Sequence, residues 1–240
     1  MNNIAIIVQA RLKSTRFPKK VMLEVGSSRM TVLEHVLKAC IGTKDTDVFL
    51  VVPDNEVGHF QKVLNARNNY REYYSVVSIV GGDEQDVLGR CYGALDTLGY
   101  KAIVRITSDC PLLKPEMIEA CIKFYYDNDY EYISNTTIKH GLSKDEIDDL
   151  SSDTLLFDGV NIEVFSMGAL AVANYYAKDD YDREHVTPFM KRELSCGLYD
   201  KGILFLNGKL SLDEYADIDK IDNILELYEA GVIKYGEFDK

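Results

Sequence analysis

The sequence predicts an α/β fold in which a mostly parallel sheet carries helices on both faces. Short β-branched runs alternate with segments of helical periodicity in the first half, the order expected when crossover helices join parallel strands. The chain has 240 residues, 46% of them hydrophobic, so it can bury the core that such a domain needs. Since no linker or repeat divides it, we predict a single domain over residues 1–240.

Four strands are predicted in the first half from apolar runs that polar or turn-forming residues bound: Ile4–Val8, Val48–Val52, Val76–Val80 and Ala102–Ile106. A helix is predicted over Thr31–Ile41, because Thr31 and Glu34 have the spacing of a capping box and a buried stripe follows. Further helices are predicted over Glu84–Leu98 and Pro115–Asp127, the second with proline at a favoured first position.

The second half is less regular. Residues 136–159 are polar and acidic, which predicts a protruding arm or loop. Alternating apolar residues predict a strand over Val160–Phe165. The other predicted elements are helices over Met167–Ala177, Glu184–Leu194 and Ile218–Ala230 and short strands over Ile203–Leu206 and Leu210–Leu212.

The overall charge argues against two classes of partner. There are 27 Lys and Arg against 39 Asp and Glu, a net charge of −12, whereas nucleic acid and anionic membrane both attract basic faces. No apolar run approaches the roughly 20 residues that cross a bilayer. The five cysteines, an odd number without zinc-like spacing, indicate reduced thiols and a cytoplasmic location.

The segment after the first strand is an exception to this acidity. Residues 1–30 contain six basic residues and one acid, and five of the six lie between Arg11 and Lys20. Open parallel sheets bind ligands where their strands end. A loop of cations, hydroxyls and backbone amides at that edge predicts an anion site rather than an ordinary solvated loop. The chain contains neither a Walker A motif nor the GxGxxG motif of nicotinamide cofactor sites.

Two carboxylates are predicted near this loop. Asp109 follows the fourth strand, and Asp213 follows a short apolar run. Cations beside a carboxylate suit a nucleoside triphosphate with Mg²⁺, because cations hold phosphate oxygens and the hard metal prefers carboxylate oxygens. Each aspartate alone fits a structural role equally well, Asp109 as a turn cap and Asp213 as a helix cap, for which Asp217 is at least as well placed.

Several motifs resemble those of one enzyme family. The segment Gln9–Lys20 resembles the nucleotide-binding signature of the cytidylyltransferases that make CMP-activated sugar acids. The segments Asp83–Arg90, Arg105–Leu112 and Arg183–Pro188 are similar to the spore-coat polysaccharide branch of the SpsF type. The resemblance extends over nearly the whole chain.

This resemblance implies a fold, a reaction and a cofactor. The fold is the three-layer α/β/α, Rossmann-like fold of nucleotide-diphospho-sugar transferases, with a mixed sheet. The reaction is the Mg²⁺-dependent attack of an acceptor oxygen on the α-phosphorus of CTP, with release of pyrophosphate. In the sugar-acid relatives the acceptor is a 2-keto sugar acid, sialic-acid-like or Kdo-like, destined for a surface polysaccharide.

The resemblance also implies site residues. The catalytic set is Arg11, Lys20, Asp109 and Asp213, of which Asp109 and Asp213 match the metal-binding carboxylates. The nucleotide-binding set is Ala10, Arg11, Ser14, Arg16, Lys20, Asp86 and Arg90. The set for a small anionic acceptor is Asn135, Asn161, Glu163, Arg183, Glu184 and His185. An ion pair is the alternative role for Arg183, and a helix N-terminus that shapes the acceptor pocket is the alternative for Glu184 and His185.

The chain departs from the family pattern at several positions. Lys13 and Lys19 stand where glycine is usual, which removes backbone freedom at positive φ. Asn161 stands where aspartate is expected, and residues 136–157 match poorly. These last two departures bear on the acceptor more than on the nucleotide.

Alternatives stay open at this point. A phosphate or phosphonate acceptor would give a CDP-type product. A glycosyltransferase is expected to carry a DxD motif, which Ser108-Asp109-Cys110 lacks, and a nucleotide sensor is expected to lose a metal carboxylate. The two aspartates fit one metal ion or a pair. Glu184 and His185 are both candidates for the general base. From the family we expect a homodimer, with residues 136–180 forming the acceptor pocket and reaching toward the partner.

Overall fold

The structure is a computed structural model and describes residues 3–14, 17–66, 74–136, 159–199 and 211–230. One sheet and one small hairpin account for its strands. The sheet consists of β1 (Ile4–Gln9), β4 (Thr46–Pro53), β5 (Val77–Gly82), β6 (Ala102–Thr107), β7 (Tyr132–Ser134), β8 (Ile162–Ser166) and β9 (Cys196–Leu198). The hairpin consists of β2 (Glu24–Val25) and β3 (Met30–Thr31).

The sheet is mixed and mostly parallel, as predicted. Its order is β5-β4-β1-β6-β8-β7-β9, and β8 runs antiparallel to both of its neighbours. The carboxyl ends of the central strands lie level, since Gln9 is opposite Val51 on one side and Thr107 on the other. Loops from several strands therefore meet at one edge of the sheet.

Helices cover both faces of the sheet, which gives three layers. They are α1 (Val32–Gly42), α2 (Val57–Ala66), α3 (Val87–Gly93), α4 (Pro115–Asp127), α5 (Met167–Tyr176), α6 (Asp180–His185), α7 (Pro188–Glu193) and α8 (Asp217–Glu229). Ile6 and Val8 of β1 pack in the core that contains α1 and α4, while Ala5 and Ile7 pack in the core that contains α3 and α5. Among the described helices, none combines the length and the apolar character needed to cross a membrane.

The first helix begins where the capping box predicts. The Thr31 hydroxyl accepts from the Glu34 N–H at 3.2 Å, and the Glu34 carboxylate accepts from the Thr31 N–H at 2.7 Å. Two donors that would otherwise lack partners at the helix start are thereby satisfied. The five cysteines are free thiols, and four of them are buried.

Two predicted helices have wrong bounds. The helix predicted over Glu84–Leu98 is the shorter α3, because the Asp86 carboxylate caps it by accepting from the Gly89 N–H at 2.8 Å. The helix predicted over Glu184–Leu194 is two helices, α6 and α7. They separate at Val186, whose φ of 71° lies in the left-handed region that ends a right-handed helix.

The remaining differences concern short or distant elements. The prediction of a strand over Leu210–Leu212 is wrong for Ser211 and Leu212, the two of its residues that the structure describes, because they form no strand. Most of the predicted arm, residues 137–158, and the predicted strand Ile203–Leu206 lie outside the described residues. Helix α2 and the three-residue strands β7 and β9 are elements that the sequence patterns did not predict.

Candidate active site

A cavity of about 250 Å³ opens at the carboxyl edge of the sheet. Its walls come from the end of β1 and the loop behind it, the end of β6, the helices α3 and α6, and the segment before α8. The predicted site residues that line it are Ala10, Arg11, Ser14, Lys20, Arg90, Asp109, Glu184, His185 and Asp213. Arg16 lies outside the described residues.

Lys20 bridges the two predicted metal carboxylates. Its Nζ atom lies 2.7 Å from Asp109 Oδ2 and 2.8 Å from Asp213 Oδ1. All three side chains are largely buried, with 14%, 24% and 15% of their surface exposed. Burial alone would lower the pKa of Lys20, but the two carboxylates outweigh it and raise that pKa above its usual value. The bridging group is therefore a charged ammonium.

Backbone contacts bring the two aspartates together. The Leu212 N–H donates to the Asp109 carbonyl at 3.0 Å, which fixes the segment before α8 against the loop after β6. The Asp217 carboxylate accepts from the N–H groups of Asp213 and Glu214, each at 2.9 Å. Since Asp217 makes these turn contacts, the Asp213 carboxylate is left to face Lys20.

The loop after β1 is anchored at several points. Phe17 is 1% exposed and packs on Tyr215, with ring centroids 4.0 Å apart. The Leu12 N–H donates to the buried Glu56 carboxylate at 2.8 Å, and the Lys19 N–H donates to the Leu12 carbonyl at 2.8 Å. Lys19 has a φ of 59°, the left-handed conformation for which glycine is suited. The loop thus keeps this turn without the glycine.

The outer cations of the loop form exposed ion pairs. Arg11 lies 3.2 Å from Glu184, and Lys13 lies 2.8 Å from Glu84. Nearly half of the Arg11 and Glu184 side chains is exposed, so the pair contributes little stability. Arg11 is consequently able to turn toward an anion in the cavity at little cost.

Arg90 is a buried cation with an unused donor. It is 6% exposed, and its Nη1 donates to the Asp83 carbonyl at 2.6 Å. Its Nε is buried and has no hydrogen-bond partner in the described part of the chain. Burial lowers the pKa of the guanidinium. Gly82 permits the close packing, because a Cβ there would lie 2.6 Å from Arg90 Cγ.

Asp86 and Arg183 bind each other. Arg183 Nε donates to Asp86 Oδ1 at 2.7 Å, and Arg183 Nη2 donates to Asp86 Oδ2. Arg183 Nη1 also donates to the Asn174 carbonyl at 2.9 Å. Neither Asp86 nor Arg183 lines the cavity around Lys20, and both lie at a neighbouring, more open depression. The ion pair considered for Arg183 is therefore present.

Besides Arg183, three predicted acceptor residues lie away from the cavity lining. Asn135 is buried, accepts from the Ile162 N–H and donates to the Val160 carbonyl, each at 2.7 Å. Asn161 accepts from the Gly159 N–H at 3.1 Å. Both asparagines hold the chain between Gly159 and β8 in place, and Glu163 belongs to a buried ion cluster.

The cluster around Glu163 contains residues that sequence reasoning missed. Glu163 pairs with Arg105 and Lys191, and it accepts from Tyr132 Oη at 2.6 Å and Thr187 Oγ1 at 2.8 Å. Burial would raise the pKa of this carboxyl, but Arg105 and Lys191 hold it well below its usual range. The one signal of this cluster in the sequence is Arg105, which interrupts the apolar run of β6.

Comparisons with known proteins agree with this architecture. Residues 5–205 match the family model described as cytidylyltransferase. An uncharacterized protein of Methanocaldococcus jannaschii is 32% identical over 189 residues, which are 77% of this chain and 65% of that protein. The spore coat polysaccharide biosynthesis protein SpsF of Bacillus subtilis is 28% identical over 197 residues, 80% of this chain and 71% of SpsF.

A solved structure shares the fold. The CMP:2-keto-3-deoxy-manno-octonic acid synthetase complexed with CTP superposes with a TM-score of 0.62 at 10% identity, over 96% of this chain and 99% of that chain. The family match covers most of the chain, and the sheet order and the edge cavity are consistent with it. The chain therefore belongs to the cytidylyltransferase family of nucleotidyltransferases.

Proposed function

We propose that this chain transfers CMP from CTP to a small anionic acceptor and releases pyrophosphate. The observation that carries the proposal is the convergence of Asp109 and Asp213 on one cation, Lys20 Nζ, in the cavity at the sheet edge. Nucleotidyl transfer needs positioning and charge neutralisation more than covalent chemistry from the protein. A cavity that combines two carboxylates with several cations suits that demand.

The two carboxylates fit Mg²⁺. Each presents an oxygen to a single point where a cation already sits, and carboxylate oxygens are the protein ligands that Mg²⁺ prefers. In the described residues no group of three or more His, Cys, Asp or Glu side chains could hold a metal. Two aspartates would therefore share the ion with phosphate and water oxygens. When bound, Mg²⁺ supplies charge neutralisation at the triphosphate.

The cations of the cavity have complementary tasks. Lys20, displaced from the aspartates, and Arg11, released from Glu184, are placed to hold phosphate oxygens. Ser14 lines the same wall. Arg90 lines the cavity, and its guanidinium is placed to contact the nucleoside portion. No single group stands out as the base for the acceptor hydroxyl, since Glu184 and His185 both line the cavity.

We further propose that the acceptor is a 2-keto sugar acid used for a surface polysaccharide. The support is the similarity to SpsF, named for spore coat polysaccharide biosynthesis, and to a CMP:2-keto-3-deoxy-manno-octonic acid synthetase. The competing acceptor, a phosphate or phosphonate, would give a CDP-type product at the same site. Both acceptors are anionic and both reactions release pyrophosphate, so the product distinguishes them.

A homodimer is proposed through the exposed face of α5 and α6. Tyr175, Tyr176 and Tyr181 are 69%, 61% and 52% exposed there, and Val172 lies beside them at 41%. Exposed aromatic side chains of this kind are enriched at protein interfaces. Light scattering after size exclusion should give about twice the chain mass of 27.2 kDa, and Tyr175→Glu should shift it toward one copy. A wild-type mass of one chain would contradict the dimer.

The experiment for the reaction is pyrophosphate release from CTP with Mg²⁺ and a panel of acceptors. The panel contains N-acetylneuraminate, Kdo and several sugar phosphates, and mass spectrometry identifies each nucleotide product. We expect release with a sugar acid and a CMP-linked product. A CDP-linked product would keep the cytidylyl transfer and replace the acceptor. Turnover with UTP but not CTP would overturn the proposed function.

A further inference from the structure

We infer that Gln9 is a hydrogen-bond donor that selects for an oxygen atom of the ligand in the cavity, and that the buried Arg105–Glu163 pair fixes its orientation. The inference deepens the proposed function and rests on it for the identity of the ligands. Gln9 is the last residue of β1, lines the cavity and is the first residue of the signature segment Gln9–Lys20, but none of the predicted site sets includes it.

The orientation of the Gln9 amide follows from its partner. Arg105 Nε donates to Gln9 Oε1 at 3.0 Å. A guanidinium has donors and no acceptor, so the amide must turn its oxygen toward Arg105 and its NH₂ group away. This NH₂ group has no hydrogen-bond partner among the described residues, and Gln9 is half-buried at the cavity wall.

Arg105 is itself immobilised. Its Nη1 donates to Glu163 Oε2, directly across the β6–β8 pair of strands. Glu163 Oε1 is held by Tyr132, Thr187 and Lys191, with Lys191 Nζ at 2.9 Å. The Arg105, Glu163 and Lys191 side chains are only 11%, 5% and 6% exposed. Breaking such a buried pair leaves an uncompensated charge, so Gln9 faces a fixed partner.

The charge balance of this cluster decides which ligand atom suits Gln9. Arg105 and Lys191 carry two positive charges against the single negative charge of Glu163. The net positive charge of this cluster favours a partially or fully negative ligand atom at the Gln9 NH₂ group. A carbonyl or carboxylate oxygen, which only accepts, fits this NH₂ group, whereas an amino group that only donates does not. Such an oxygen can belong to the pyrimidine of CTP or to the carboxylate of the acceptor.

This arrangement also gives Glu163 a different role from the acceptor contact predicted for it. Its oxygens are occupied by four side chains, and it does not line the cavity. Glu163 and Arg105 are positioning residues that act through Gln9. A change at Glu163 should reach the ligand by way of the Gln9 amide.

Two substitutions of opposite character test the donor. Gln9→Leu removes it, and Gln9→Glu keeps a partner for Arg105 but presents an acceptor to the cavity. The matched control is Gln61→Leu on the exposed face of α2. Calorimetric titrations with CTP and Mg²⁺, and the KM for N-acetylneuraminate or Kdo, report on the two ligands separately. We expect Gln9→Leu to weaken one of them roughly five- to tenfold, with kcat changed less.

The Gln9→Glu variant shows whether the ligand atom accepts or donates the hydrogen bond. We expect it to weaken the same ligand more than Gln9→Leu does, because a carboxylate would face an oxygen. The affected ligand identifies the source of that oxygen. Tyr132→Phe removes one uncharged hydrogen-bond donor from Glu163. It should raise the Kd or KM of the same ligand, and it should have no further effect when it is combined with Gln9→Leu.

Several outcomes would overturn the inference. Gln9→Glu binding as tightly as wild type or tighter would mean that the ligand presents a donor. Unchanged constants in both Gln9 variants would mean that the amide does not contact ligand. In either case wild-type turnover of CTP would leave the proposed function standing. A wild-type protein that binds neither CTP nor any acceptor would contradict both.

Discussion

The Leu212 N–H donates to the Asp109 carbonyl at 3.0 Å. This contact joins the loop after β6 to the segment before α8, and it places the Asp213 carboxylate beside the Asp109 carboxylate. Lys20, from the loop after β1, then bridges the two acids. Three distant segments of the chain thus form one charged cluster at the edge of the sheet, and its behaviour can be tested directly.

Removing Lys20 should expose a cation site. In Lys20→Met the two carboxylates lose their shared ammonium, so Mg²⁺ alone should bind more tightly than it binds wild type. Titration calorimetry, or the shift in melting temperature with Mg²⁺ and no nucleotide, measures this. The double variant Lys20→Met with Asp109→Asn is the control and should lose the gain. Equal Mg²⁺ affinity in wild type and Lys20→Met would contradict two acids that share one cation.

The two aspartates should be indispensable for turnover. Asp109→Asn and Asp213→Asn should each lower pyrophosphate release from CTP by about 1,000-fold, because each removes a ligand to Mg²⁺ that offsets the developing charge. The far-ultraviolet circular dichroism should stay unchanged. Asp129→Asn, at an exposed position, is the matched control. A near wild-type rate in either site variant would remove that residue from the metal site.

Replacing Lys19 with glycine should stabilise the folded protein. Its φ of 59° costs a side-chain-bearing residue about 1 kcal/mol that glycine avoids. Lys19→Gly should raise the free energy of unfolding by about 0.5–1 kcal/mol, as measured in urea. Lys44→Gly, in a loop and without a positive φ, should lower it by a similar amount. Destabilisation by Lys19→Gly would show that the lysine side chain outweighs the backbone strain.

Lys114 should make stability depend on pH. Burial, followed by repulsion from Lys38, lowers its pKa from 10.5 to about 8. Between these values the unfolded chain binds more protons than the folded chain, so stability rises as the pH increases through 8. Lys114→Met should be more stable than wild type by about 1–3 kcal/mol at pH 7. Urea unfolding at pH 7 and pH 9.5 should show this difference shrinking; a constant difference would contradict the shift.

Breaking the buried cluster should be costly. Glu163→Gln leaves Arg105 and Lys191 without their counter-ion and should lower the free energy of unfolding by about 3–5 kcal/mol. Tyr132→Phe removes one neutral donor from the same carboxylate and should cost about 1 kcal/mol. Chemical denaturation of the two variants provides the comparison. Similar small decreases in the free energy of unfolding of both variants would mean that water replaces the Glu163 carboxylate.

The parts of the fold that depend on local patterns were predictable. The capping box of α1 and the β-branched run of β1 act over a few residues, and the structure contains both. The strands β7 and β9 have three residues each and are defined by pairing with distant segments. The break at Val186 depends on its backbone conformation, which the surrounding helical pattern does not reveal.

The same distinction applies to the site. Lys20 lies in the loop that follows β1 and Asp109 in the loop that follows β6, so their meeting follows from the neighbouring, parallel arrangement of these two strands. The pairing of Asp86 with Arg183 and the burial of Glu163 depend on how α6 and α7 pack against the sheet. One-dimensional spacing contains no information on such contacts. Gln9 was likewise invisible as a donor until Arg105 fixed its amide.

The central claim is that CTP with Mg²⁺ is the ligand of the Lys20 cluster. The most direct measurement is the melting temperature with CTP, UTP, ATP or GTP, each with and without Mg²⁺. A ligand at about 100 times its Kd stabilises a fold by about 2.7 kcal/mol, which gives a clear shift. We predict a Mg²⁺-dependent rise that is largest with CTP and absent in Asp109→Asn. A larger rise with UTP or GTP, or none with any nucleotide, would contradict the account.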